Sequence, residues 1–123
     1  MIQTDKTNKR SKSKNRKERA VRRCPFVAGV EVTDLHSGTR LSGRTSELGL
    51  GGCYVDVLNP FAQGAEVQLK MVRDQGTFEA KAKVAYCDPK FGMGLAFSEM
   101  TAADRAVLEK WLVEVITLRH PTT

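Results

Sequence analysis

Arg19 and Arg23 stand four residues apart in "RAVRR". Side chains at that spacing come to one side of a helical turn, and each guanidinium fork can make paired hydrogen bonds to a phosphate or to the O6/N7 edge of guanine. A second stretch, "ELGLGGCYV" from Glu47 to Val55, sets Gly49, Gly51 and Gly52 just ahead of an apolar run. Two readings stay open for these glycines. They make a tight connection or bulge in which positive φ is easiest for glycine, or their missing side chains let backbone N–H groups face a flat or anionic ligand.

Catalytic chemistry finds little support elsewhere. His36 sits in a Ser-Gly turn and His120 near the C-terminus, and neither has a thiol or carboxylate placed beside it for acid–base or nucleophilic work. There is no GxxxxGK[ST] phosphate loop, and "GLGG" falls between two strand-like runs instead of opening a helix, which sets aside a dinucleotide fold. Cys24, Cys53 and Cys87 are far apart and odd in number, so they fit neither a zinc site nor a disulfide framework and are expected to be reduced. The expectation is a protein that is not an enzyme and holds no metal or cofactor.

The charge is divided along the chain. Residues 1–23 carry ten Lys/Arg against Asp5 and Glu18, whereas residues 24–123 carry ten against twelve acidic residues, so the overall +6 belongs to the N-terminal segment. Residues 1–18 lack apolar periodicity and are expected to be a disordered basic tail, followed by one domain over residues 19–119. The tail has no aromatic residue for stacking bases, so nucleic-acid binding through it is a lesser expectation. No run of 18 or more apolar residues exists. A membrane span and a secretory signal are therefore not expected, and the protein reads as cytoplasmic.

From Pro25 onward the pattern is that of short strands. Phe26, Ala28, Val30 and Val32 share a face of a first strand, and His36–Gly38 turns into a second from Thr39 to about Glu47. Cys53, Val55 and Val57 form a third. Val67, Leu69 and Met71, then Phe78, Ala80, Ala82, Val84 and Tyr86, form the two arms of a hairpin around Asp74–Gly76. "MGLAF" supplies a sixth. The period then changes: Val107, Leu108, Trp111, Leu112, Val115 and Leu118 recur at helical spacing over about Ala102 to Leu118, capped by Thr101 with Asp104 three residues on. The fold class expected is mainly β, a six-stranded antiparallel barrel with a C-terminal amphipathic helix laying its Trp111 face on it.

An RxxxR pair before the first strand, a [D/N]xSxxG-like turn about two dozen residues later leading into "GCYV", a six-stranded barrel, "GMGLAF" and a terminal helix together resemble the PilZ domain, a bacterial receptor module for cyclic di-GMP. The similarity covers about Arg19 to Leu118. It implies that Arg19 and Arg23 hold phosphate and guanine groups of the dinucleotide. It further implies that the second motif runs from Glu47 to Gly52, with Glu47 where Asp or Asn is usual, Gly49 where Ser is usual and Gly52 as the last glycine. A competing register, Arg44 to Gly49, keeps Ser46 and Gly49 but puts Arg at the acidic position. The function implied is a cyclic di-GMP receptor that orders its N-terminal arginine segment and so relays the signal to a downstream protein partner. The alternative is a degenerate PilZ domain that acts as a protein-interaction adaptor without nucleotide.

Overall fold

A computed structural model of the chain describes residues 23–119. The basic tail, Arg19 and His120 lie outside the described residues. Seven strands and one helix follow in chain order: β1 Arg23–Pro25, β2 Gly29–Asp34, β3 Arg40–Gly49, β4 Gly52–Asp56, β5 Glu66–Arg73, β6 Gly76–Asp88, β7 Gly92–Glu99 and α1 Ala102–Arg119. Neighbours in the sheet run β1-β3-β2-β5-β6-β7-β4, and a further pairing of β3 with β4 closes β2 through β7 into a six-stranded antiparallel barrel. The inward residues are those the alternation marks: Val30 and Val32, Val55, Val67, Leu69 and Met71, Phe78 through Val84 at every second position, Met93 and Leu95 are all buried. Full burial of each Val, Leu, Met or Phe side chain among them stabilises the fold by about 1.5–3 kcal/mol.

The seventh strand, β1, was not expected. Pro25 has no N–H to give a ladder, and it is tolerated here because β1 is an edge strand. β1 continues the line of β2 along β3, but one residue out of register: Pro25 faces Glu47 while Gly29 faces Arg44. The extra residue is Val27, which bulges out and is 65% exposed. Thr45 repairs the interruption. Its hydroxyl accepts from the Ala28 N–H (3.0 Å) and donates to the Phe26 carbonyl (2.8 Å), and the residue is only 1% exposed.

A second irregularity corrects the expected hairpin face. Tyr86 continues the alternation of Phe78, Ala80, Ala82 and Val84, yet it lies outside the barrel. The pairing of β6 with β7 shifts between Val84 and Tyr86, from Val84 opposite Leu95 to Tyr86 opposite Gly94, and the bulged residue reverses every side chain beyond it.

At the start of α1 the Thr101 hydroxyl accepts the Asp104 N–H (3.1 Å) and donates to the Asp104 carboxylate (2.7 Å). That carboxylate also accepts the Glu79 N–H of β6 (3.0 Å), tying helix to barrel. Leu108, Trp111 and Val115 are buried, and Trp111 stacks on Phe26 (centroids 5.7 Å) and meets Phe78 edge-on (6.4 Å). Arg73 lies over the other aromatic of this set, 4.8 Å from the Phe26 ring centroid, and reaches Glu114 at 3.5 Å.

Candidate functional site

Strand pairing lines up three rows on the outside of the barrel. The first runs Pro25, Glu47, Tyr54, Gly94, Tyr86 across β1, β3, β4, β7 and β6. Beside it, Arg23 faces Gly49 on one side and Gly52, Ala96 and Lys83 follow on the other. The third row is Arg44, Asp56, Gly92, Asp88. Arg23, Glu47, Gly49 and Gly52 therefore come to one outer face. Arg44 lies in the row farther from Arg23, and Ser46 donates its hydroxyl to Asp56 at 3.3 Å.

Gly52 has a steric reason to be glycine. A Cβ there would run into the Leu95 carbonyl oxygen and would come 3.1 Å from Nη2 of Arg23. The guanidinium thus stands directly over a bare piece of backbone. The strands do join tightly here, β3 ending at Gly49 and β4 starting at Gly52, but without positive φ, which among the described glycines occurs at Gly38 and Gly64. The same proximity acts on the residue beneath. Burial pushes the Cys53 thiol up to about 12, with the Arg23 guanidinium pulling weakly in the opposite direction. All three cysteines are free thiols.

Two tyrosines complete the face, and sequence reasoning assigned neither to it. Nη1 of Arg23 lies 3.4 Å from the Tyr86 hydroxyl. Tyr54 donates its hydroxyl to Asp88 at 2.8 Å. Burial first, and the Asp88 carboxylate second, raise the Tyr54 phenol above its usual range, so it stays a neutral donor. The ring centroids are 6.1 Å apart with planes inclined by 32°. A Cβ on Gly94 would collide with Cε1 and Cζ of Tyr86, and one on Gly92 would come 2.7 Å from Cε2 of Tyr54. The signal in the sequence was the pair Gly92 and Gly94, two apart on one face of a strand. Tyr86 itself was hidden by the bulge. Among the described residues no group of three or more His, Cys, Asp or Glu is placed to hold a metal ion, and no helix is long and apolar enough to cross a membrane.

A closed barrel, one packed helix and an outer face built from an arginine, glycines and two tyrosines define a small barrel-and-helix domain. A PilZ domain model matches residues 14–114, and the chain belongs to the PilZ domain family. Three solved structures show the same fold at low identity. The Bacillus subtilis inhibitor of motility MotI/DgrA is 20% identical over 83% of this chain and 52% of its own, with a TM-score of 0.66. YcgR from Escherichia coli in complex with c-di-GMP is 15% identical over 80% of this chain and 46% of its own, at 0.68. The PilZ domain of CeSA from a cellulose-synthesizing bacterium is 19% identical over 80% of this chain and 99% of its own, at 0.59. The chain thus spans about half the length of MotI/DgrA and of YcgR. No curated protein matches it at a significant level.

Proposed function

We infer that this chain is a receptor for cyclic di-GMP, acting in the cytoplasm through a downstream protein and without a catalytic step. The observation that carries the reading is the Arg23 guanidinium held over the bare backbone of Gly52, on the same face as Glu47 and Gly49. A dianion with two guanines offers phosphate oxygens and O6/N7 edges to such a fork. Support comes also from the family and from a structural neighbour, YcgR, whose structure holds c-di-GMP. In this reading Arg19 supplies the second guanidinium, and the segment N-terminal to Arg23 orders over the ligand to present a new surface to the partner. Calorimetric titration of the full chain with cyclic di-GMP tests it: saturable heat is expected, and its absence overturns the reading.

One observation favours the adaptor as a second reading. Gly49 has no hydroxyl and Glu47 is a methylene longer than Asp, so the second motif has lost one donor and moved one acceptor. Each bond lost costs about 0.5–1.5 kcal/mol, or up to roughly tenfold in affinity. An adaptor would keep the fold and give no heat with the nucleotide.

A further inference from the structure

The outer face of the barrel carries more aromatic surface than its motif residues require. Tyr54 and Tyr86 both flank Gly94, one from β4 and one from β6, and both rings lie down across β7 instead of standing off it. They can do so because β7 offers no side chain beneath them. At Gly94 a Cβ would occupy the space of the Tyr86 ring, and at Gly92 it would meet the Val55 carbonyl oxygen first and the Tyr54 ring next. The result is two rings side by side, inclined by only 32°, with Tyr86 still 42% exposed. Each ring is anchored at its hydroxyl, Tyr86 beside Arg23 and Tyr54 on Asp88. The bulge before Tyr86 spares the apolar core a tyrosine hydroxyl in need of a partner. Its effect is to bring the ring outside.

We propose that Tyr86 and Tyr54, laid flat over Gly94 and Gly92, form a stacking platform for a purine base next to the Arg23 guanidinium. The inference rests on the cyclic di-GMP reading and deepens it: Arg23 takes the phosphate or the guanine edge, and the platform takes the face of the base. Aromatic faces hold nucleobases by stacking whatever the base edge presents, and arginine adjoining the ring strengthens such sites. Because both rings are already held at their hydroxyls, little side-chain freedom is lost when the base arrives. Tyr86 keeps its own O–H available to donate, since its oxygen is the atom facing Arg23.

The test uses the full chain and cyclic di-GMP, with affinity from calorimetry and stacking from the fall in guanine absorbance on binding. Tyr86→Leu is expected to weaken binding by about tenfold or more and to abolish the absorbance change. Tyr86→Phe, which keeps the ring, should retain that change. Gly94→Ala removes no ligand contact, yet its methyl displaces the Tyr86 ring, a side chain and not backbone, so it should weaken binding while thermal melts stay near the parent's. If the parent binds with saturable heat and all three variants bind as it does, the platform is overturned and the receptor reading stands. If the parent binds no cyclic di-GMP, both fall.

Discussion

Thr45 and Val27 form one device: the bulge at Val27 removes a pair of backbone groups from the ladder, and the Thr45 hydroxyl bonds both of them, at Ala28 N–H and Phe26 C=O. Thr45 also donates its own N–H to the Ala28 carbonyl at 3.0 Å. Through this joint β1 keeps its place on β3, and through β1 Arg23 keeps its place over Gly52.

Thr45→Val conserves volume and removes the hydroxyl. Two buried backbone groups then lack a partner, which should lower stability by about 1–3 kcal/mol in urea unfolding. Amide exchange at Cys24 and Phe26 should speed up more than in β5. A variant as stable as the parent would show that the bulge is satisfied by other means.

Arg23→Ala should weaken cyclic di-GMP binding at least about tenfold without changing the melting temperature, because the side chain contributes charge-assisted bonds and not core packing. Arg19→Ala is expected to do the same. Two single variants that bind like the parent would remove both residues from the site.

The second motif offers a gain-of-binding test. Glu47→Asp with Gly49→Ser should restore one or two guanine hydrogen bonds and tighten binding by several-fold to about a hundredfold. Gly49 is not at positive φ, so serine meets no backbone strain there. Arg44→Asp should do little. Tightening in Arg44→Asp alone would mean that the competing register is the working one.

Cys53 sets an alkaline limit on stability. Its thiol is raised from 9.0 to about 12 in the fold, so above pH 9 the unfolded chain releases a proton that the folded chain keeps. Stability should therefore be level below pH 9 on this account and fall as pH rises toward 12, by at most about 1.4 kcal/mol per pH unit. Cys53→Ala, compared with the parent in urea series over that range, should show a shallower decline. Parallel declines would contradict it.

The barrel was legible because its strands are half-buried and alternate: Val67, Leu69 and Met71 against Phe78, Ala80 and Ala82 leave one consistent register. The helix was legible for the same reason at a different period. β1 was not, because three residues containing a proline carry no alternation, and its pairing depends on a threonine twenty-odd positions away. Arg23, Glu47, Gly49 and Gly52 were visible as motif residues, and the structure brings them to one face. The tyrosines were not visible as a pair. Tyr54 follows the motif as an ordinary strand residue, and Tyr86 obeys the core alternation until a bulge, which local sequence does not mark, reverses it.

Arg23 hangs from a strand, and this changes when its disorder is lost. Cys24 and Pro25 are fixed against Leu48 and Glu47 as the barrel forms, so the backbone entropy of this stretch, about 1–2 kcal/mol per residue, is spent at folding and not at association. A ligand that meets an arginine already in place keeps that energy for its own complex, roughly tenfold in affinity for each residue so prepared. The barrel core, though it lies beneath this face and not on it, is in this sense part of whatever affinity the face has for a ligand.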